Sequence, residues 1–508
     1  MKRVWFVATE NGAFPGGKVG GVGDVVRDLP IALAATGLNV HVITPSYGMF
    51  HKLPGTKLYR RSRVRFAGQQ YMAKIFKVPV GDGAVGHYVI EHPLLSPRGP
   101  GRIYVSDEPD EPFAIDATKF AFFNAAVAVW VNSCHSPPEV LHLNDWHTGL
   151  IAALREAGNE DAPLKKARLV FTIHNLAYQG IRPLRGDESS LESWFPDLLQ
   201  HEELLKDPRY DDCVNFMASA IRLADEVNTV SPSYALEIQR PSDPSTGFSG
   251  GEGLETELRR AQAEGRLSGI LNGCMYPEVS APVPGWDELL QLIAGHKEII
   301  NAHQAADDWI ESRKGKRPHH LLLSIGRVAD QKVPLFFEPI AGHASALEAI
   351  LTAIGPDSLF IMLGSGEEML EDRFTEIARS HDNFLYLRGY VESLSGPLYS
   401  SADLFLMPSS FEPCGISQML SMRAGHPCVV HGVGGLKDTV TDVISGFVFD
   451  GDTPAEQAQN FVNSVQTAIS IRQDNPSRWQ EICENAASQR FSWEVAARDY
   501  RQRLYHLD

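Results

Sequence analysis

At 508 residues the chain is too long for one ordinary hydrophobic core, so two large domains or three smaller ones are expected. Its 63 Asp and Glu against 46 Lys and Arg leave a net charge of −17, which argues against nucleic acid or an anionic membrane as partner over most of the surface. The six cysteines show no C-x-x-C pair and no zinc spacing, which fits reduced thiols in a cytoplasm, and no apolar run is long enough to span a bilayer.

In chain order, the apolar run at 1–9 is too short for a signal peptide and ends at Glu10; Val4 to Ala8 reads as a first buried strand. A Gly-rich loop from Glu10 to Gly23 follows, then a helix from about Val25 to Thr36 with Gly37 as C-cap, then a strand from Asn39 to Thr44. This order makes a βαβ unit. Residues 60–92 alternate apolar and polar positions in places, the pattern of antiparallel strands or hairpins. Residues 93–112, rich in Pro, Gly and Asp, read as a surface loop.

A helix from about Ala117 to Ser133 precedes four further apolar runs. Val140 to Leu143 leads to Asn144-Asp145, Leu169 to Thr172 to His174-Asn175, Asp225 to Thr229 to Ser231, and Ile270-Leu271 to Asn272-Gly273. Polar residues at the carboxyl ends of successive strands share one rim of one sheet, where open α/β sheets bind ligands. The proline-rich stretch 276–286 is a candidate boundary, and Asp287 to Arg313 reads as helical. Strands recur at Leu321 to Ser324, Leu359 to Leu363, Phe384 to Leu387, Leu404 to Met407 and Cys428 to His431, alternating with helical segments. The fold class expected is therefore α/β, with two doubly wound Rossmann-like domains: 1–275, 276–485, and a closing amphipathic helix within 486–508 that packs back across the domain junction.

The residues that carry chemistry lie on the strand ends. Lys18-Val19-Gly20-Gly21-Val22-Gly23-Asp24 is neither a P-loop nor a dinucleotide fingerprint, but glycines at a helix start let backbone N–H groups approach a phosphate. A structural Gly-rich loop with a solvated lysine fits that stretch equally. Arg327 and Lys332, just past a strand, suit a diphosphate leaving group, or form an ordinary surface pair. Asp145 and His174 could bind hydroxyls or move protons, or serve as a helix cap and a core histidine. Glu412 stands in the turn Phe411-Glu412-Pro413-Cys414-Gly415, between a strand and a helix beginning near Ile416. Val433-Gly434-Gly435-Leu436 echoes Val19-Gly20-Gly21-Val22, so each half has a Gly-Gly turn before a helix. No metal signature stands beside these loops.

Taken as an ordered set, these segments resemble the bacterial-type glycogen and starch synthases, retaining glycosyltransferases of the two-Rossmann-domain (GT-B) architecture. The matching pieces are the 18–26 loop, His142-Leu143-Asn144-Asp145-Trp146-His147, Phe171-Thr172-Ile173-His174-Asn175, Gly269 to Gly273, Arg327 with Gln331-Lys332, Leu363 to Gly366, the Phe411 turn, and Gly434 to Val440. The resemblance implies two domains facing a central cleft, and transfer of glucose from ADP-glucose to the non-reducing end of an α-1,4-glucan. The alternatives are a sibling using UDP-glucose or a small sugar acceptor, and a non-catalytic glucan-binding paralogue. It implies catalytic roles for Glu412, Asp145, His174, Arg327 and Lys332. It implies donor contacts from Lys18, Gly20, Gly21, Asn272, Arg327, Lys332, Tyr390, Glu412, Cys414, Gly415, Ile416 and Ser417, and acceptor contacts from Asp145, Asn175 and Tyr178. No metal and no cofactor are implied. The chain departs from the family pattern at Ser410, where arginine is usual, at Val333-Pro334, where Gly-Leu is usual, and at Cys274 to Pro277.

Overall fold

The computed structural model describes residues 1–105, 107, 113–276, 282–300, 306–389 and 391–507. Two compact units emerge. The first comprises 1–242, 250–273 and the chain from Ser492 onward; the second comprises 243–249 and 274–491. The expected limits at 275 and 485 thus fall at Gly273 and Phe491, and the last stretch of chain returns to the first unit.

The first unit is built on a nine-stranded sheet. Its strands are β1 (Arg3–Val7), β2 (Asn39–Pro45), β3 (Lys57–Phe66), β4 (Gln69–Val78), β5 (Gly86–Glu91), β6 (Val140–Asn144), β7 (Arg168–Ile173), β10 (Glu226–Thr229) and β11 (Leu267–Gly269), in the order β11-β10-β7-β6-β1-β2-β5-β4-β3. A separate hairpin pairs β8 (Ile181–Pro183) with β9 (Cys213–Asn215). All pairs from β11 to β5 are parallel, while β4 is antiparallel to β5 and β3 to β4, the hairpin that the alternation in 60–92 predicts. Numbering only the parallel strands, the order reverses between β1 and β6, which makes that pair the topological switch point.

The second unit repeats the plan. Its strands β12 (Leu321–Ile325), β13 (Leu359–Gly364), β14 (Phe384–Arg388), β15 (Leu404–Met407), β16 (Cys428–His431) and β17 (Phe447–Phe449) lie in the order β14-β13-β12-β15-β16-β17, all parallel. This is the Rossmann order, with its switch point between β12 and β15. Alternate side chains explain both faces. Leu322, Phe360, Met362, Phe384 and Leu406 enter one core cluster, and Leu323, Ile361, Leu363, Leu385 and Phe405 enter the other. A strand buried on both faces is mostly apolar until its end, and so the polar residues open to a ligand collect there.

Several expectations shift. The first helix starts at Gly21 rather than Val25 and runs to Ala35. The expected single helix over 287–313 is a helix Trp286–Ala294, a short 3-10 turn Lys297–Ile299 and a helix Ala306–Arg313; Gly295 ends the first. The stretch 93–112 is not all surface loop, because Leu95 and Ile103 are buried. The chain end forms a helix Trp493–Asp499 that continues as one π turn, Tyr500–Leu504, and its Tyr505 and Tyr500 hydroxyls reach His142 Nδ1 and Asn228 inside the first unit. Among the described residues one helix, Ala114–Asn132, is long and apolar enough to cross a membrane, and 83% of it is buried inside the protein.

Candidate active site

In the first unit the site forms at the carboxyl ends of β1, β6 and β7. Glu10 follows β1. Its Oε2 accepts the backbone N–H groups of Val19 and Gly20, each at 2.8 Å, and its Oε1 accepts the Tyr104 hydroxyl at 2.9 Å. The Gly-rich loop is therefore pinned by a carboxylate, and the Gly20 N–H assigned to a phosphate is already engaged. Gly21 has nothing within 4 Å of where a Cβ would be, so its backbone is open to a ligand. Lys18 makes a 2.6 Å ion pair with Asp24.

Tyr104 is held in turn. Lys119, 1% exposed, donates to the Ile103 carbonyl at 2.7 Å and to Asp116 Oδ1 at 2.5 Å, while Asp116 Oδ2 accepts the Val105 N–H at 3.1 Å. The buried pair thus grips the residues on both sides of Tyr104. Burial lowers the Lys119 pKa and raises that of Asp116, while each partner's charge opposes the shift of the other.

Asp145 closes β6 with φ +55°, ψ 176°, a conformation that costs a non-glycine residue about 1–3 kcal/mol. Its N–H donates to the Thr172 carbonyl at 2.9 Å, its side chain makes no cap bond to the 3-10 turn Trp146–Thr148, and the Thr148 hydroxyl accepts the Asn144 N–H and donates to the Asp145 carbonyl. The carboxylate is thereby free to accept the His174 N–H at 2.7 Å, and the Asn175 N–H at 3.4 Å. Burial pushes the Asp145 pKa up to about 7, against these two N–H groups, which hold it down. His174 is lowered to about 4 by burial and is neutral at pH 7. Asn144 donates its amide to the Val7 carbonyl, so its Oδ1, 2.9 Å from His174 Nε2, is an acceptor. The His174 proton therefore sits on Nε2, and Nδ1 is an acceptor.

Beside them Gly180, at φ +67°, lies flat against Trp146; a Cβ would enter the indole ring. Tyr178 is 54% exposed, and its ring meets Phe113 edge-on at 5.9 Å. Asn175 turns its Oδ1 to the Ala177 N–H. Asn272, after β11, is buried, and its Oδ1 has no hydrogen-bond partner among the described residues.

The second unit gathers its groups at the β12/β15 switch point. The loop after β12 and the loop after β15 are tied by Ser410 N–H to the Gln331 carbonyl at 2.9 Å and by the Gln331 amide to the Phe411 carbonyl at 3.0 Å. Lys332 is ion-paired with Glu412 Oε2, which also accepts the Ser409 hydroxyl at 3.2 Å. Glu412 is 5% exposed, and among the described residues its Oε1 accepts no hydrogen bond. Arg327 is exposed, with no ion pair among the described residues. Ser417 begins the next helix (Ser417–Arg423) and donates to the Ile325 carbonyl at 3.2 Å, fastening that helix to β12.

Cys414, Gly415 and Ile416 form the turn before it, with Cys414 buried. Gly435 has to be glycine because a Cβ would collide with the Cys414 backbone, and its N–H donates to the Glu412 carbonyl at 3.0 Å. The two Gly-Gly echoes differ in detail: the first helix begins at Gly21, after Gly20 donates to the Glu10 side chain, whereas the second begins at Gly434, one place earlier in the motif, and there Gly435 donates to the Glu412 backbone. Tyr390 lies outside the described residues.

The structure brings Arg327, Lys332, Glu412 and Ser417 to one switch point, and Asp145, His174 and Asn175 to the rim of the other sheet. Sequence reasoning passed over Glu10, Tyr104, Asn144, Gln331 and Ser409. The signal for Glu10 was present, since an acid directly ends the first apolar strand; nothing local marks Tyr104.

Two Rossmann-order sheets in one chain, each with ionisable side chains gathered at its switch point, are the plan of the two-domain GT-B glycosyltransferases. The starch synthase catalytic domain family matches residues 3–260, and the family of glycosyl transferases group 1 matches 321–467. The chain is 35% identical to a glycogen synthase of Anaeromyxobacter dehalogenans and 32% identical to one of Streptococcus equi, in each case over 98% of both chains. It is similar to the catalytic domain of starch synthase IV from Arabidopsis thaliana bound to ADP and acarbose, with a TM-score of 0.78, 28% identity, and 99% of this chain and 98% of that one covered. A sucrose-phosphate synthase from Thermosynechococcus elongatus shares the fold at 17% identity and a TM-score of 0.54. The chain belongs to the glycogen and starch synthase family.

Proposed function

We propose that the protein transfers glucose from ADP-glucose to the non-reducing end of an α-1,4-glucan with retention of configuration, in the cytoplasm. The observation that carries the donor half is the exposed Arg327, unpaired among the described residues, on the same loop as Lys332, which rests on Glu412 at the β12/β15 switch point. A diphosphate gains charge as its bond to the sugar breaks, and two cations on one short loop stabilise that charge where it develops. Glu412 accepts sugar hydroxyls through Oε1 while Lys332 and Ser409 fix Oε2, which holds the glucosyl ring in one orientation. Cys414, Gly415, Ile416 and Ser417 line the same pocket.

On the first unit, Lys18 and the open backbone at Gly21 contact the donor phosphate, Gly20 serves by shaping that turn, and Asn272 Oδ1 accepts from the donor. Asp145, His174, Asn175 and Tyr178 position the acceptor glucan end. ADP as the donor nucleotide rests on the Arabidopsis relative, whose structure holds ADP and acarbose.

The test is labelled transfer to glycogen and to maltose from ADP-glucose and UDP-glucose in parallel. Incorporation into glycogen from ADP-glucose is expected, and Glu412→Gln should remove most of it with folding intact. Incorporation only from UDP-glucose, or only into maltose, overturns the donor or the acceptor assignment. Near wild-type turnover in Glu412→Gln removes that residue from the site.

A further inference from the structure

The β3–β4 hairpin stands apart from the rest of the chain in charge. Residues 57–78 hold seven cations (Lys57, Arg60, Arg61, Arg63, Arg65, Lys74 and Lys77) and no Asp or Glu, so the remainder of a chain of net −17 carries −24, that is, −17 less the hairpin's +7. Two of the seven are engaged. Arg60 donates to the Ser133 carbonyl at 2.9 Å, and Lys77 stands 6.0 Å from the Tyr88 ring. Lys57, Arg61, Arg63, Arg65 and Lys74 are exposed and make no ion pair or hydrogen bond among the described residues. The nearest acid across the sheet, Glu91 opposite Lys74, is turned to the Gly48 N–H and His51.

Pairing sets Arg61 directly opposite Lys74, Arg63 opposite Met72 and Arg65 opposite Gln70. Arg61 and Lys74, like charges directly opposite on one face, repel, which costs the free protein some stability that a bound anion restores. Alternate residues of a strand lie about 6.6–6.8 Å apart on one face, so Arg61, Arg63 and Arg65 form a straight row of guanidinium groups at that repeat. A second strand, lying extended, presents its own alternate side chains at the same repeat. β3 is also the last strand of the sheet, so its outer backbone edge has no strand partner.

Charge alone would serve to protect an edge strand from unwanted pairing. Protection does not call for the large apolar side chains of Leu58 and Met72, 41% and 43% exposed, that stand among these cations; Tyr59, 53% exposed, also sets its ring against Tyr88 and Trp130. Arginine, tyrosine and methionine are the residue types enriched where polypeptides meet. A long uniform polyanion would be repelled by the acidic remainder of the surface, whereas a short segment touching only the hairpin would not.

We propose that the β3–β4 hairpin is a docking strip for an extended acidic segment of another polypeptide, which adds along the free edge of β3 and sets carboxylates on Arg61, Arg63 and Arg65. Backbone pairing gives the affinity, and the cation row reads a pattern of acids at every second residue.

The test uses a short fluorescent peptide of alternating glutamate and valine, read by anisotropy against the full chain at low and moderate salt. A peptide of the same composition with its glutamates in one block, oligo-dT, and phosphatidylglycerol vesicles are run beside it. The alternating peptide should bind in a salt-sensitive way and more tightly than the block peptide. The Arg61→Glu, Arg63→Glu, Arg65→Glu variant should weaken it about 30-fold or more while glucosyl transfer is unchanged. The corresponding triple change to glutamine, gentler on folding, should weaken it in the same direction. Equal binding of the block peptide, unchanged binding by both variants, or tighter binding of oligo-dT or vesicles through the same arginines overturns the proposal. Self-association of the chain that both variants abolish also overturns it, by making a second copy the occupant.

Discussion

Lys119→Met tests whether the buried pair beneath Tyr104 governs the first unit's site. Lys119 and Asp116 are 1% and 3% exposed, so the methionine is accommodated in volume but leaves a carboxylate that has lost its cation. Removing one partner of a buried pair costs about 3–5 kcal/mol. For a folding unit of this size, where each kcal/mol is worth about 2–4 °C, the melting temperature should fall by roughly 6–20 °C. The loss should shrink in acid. Without Lys119, burial holds the Asp116 pKa above its unfolded value, so the folded state gains protons as pH falls and a protonated Asp116 needs no cation. Replacing both residues, Asp116→Leu with Lys119→Met, removes both desolvation penalties and should recover most of the loss. Differential scanning calorimetry of the single and double variants across pH 5–8 is the assay. A single variant within about 1 kcal/mol of the parent, or a double variant less stable than the single, would refute the reasoning.

Three further outcomes follow from the site. Asp145 has a folded pKa of about 7 against about 4 unfolded, so its contribution to stability falls as pH rises through that window; Asp145→Asn should flatten the slope, by roughly 4 kcal/mol at most, in urea titrations at pH 4 and 7.5. Gly180→Ala places a Cβ in the Trp146 ring at a left-handed φ and should cost about 2–4 kcal/mol; an unchanged midpoint in denaturant would mean that Trp146 can move. Lys332→Met should lower kcat for glucosyl transfer about 10²–10³-fold, because it strips a cation from the site of developing charge, and should also lower the melting temperature, because it leaves the buried Glu412 without its cation; a rise in KM alone would make Lys332 a ground-state contact.

The two doubly wound sheets were legible because strands buried on both faces leave continuous apolar runs such as Leu359 to Leu363 and Leu404 to Met407. Their polar ends then announce Asp145, His174, Arg327 and Glu412. The Phe447–Phe449 strand was missed because three residues make too short a run to separate from a turn. Tyr104 was illegible for a different reason. Its place depends on Lys119 and Asp116, more than a turn of helix further along the chain, and a segment rich in Pro, Gly and Asp reads locally as solvent-facing. The phosphate contact expected of the Gly20 N–H met a competing acceptor, Glu10, that only the folded loop brings within 2.8 Å.

The return of the chain end to the first unit sets the order in which the protein can be completed as it is made. The first unit's sheet is synthesised by Gly273, yet Trp493, Tyr500 and Tyr505, which cover Val4, Phe6 and His142, come after the whole of 274–491. At about 5–20 residues per second those 218 residues take roughly 10–45 s. During that interval the early half must persist with an open apolar flank, and a nascent chain stalled before Ser492 holds a finished second unit beside an unfinished first.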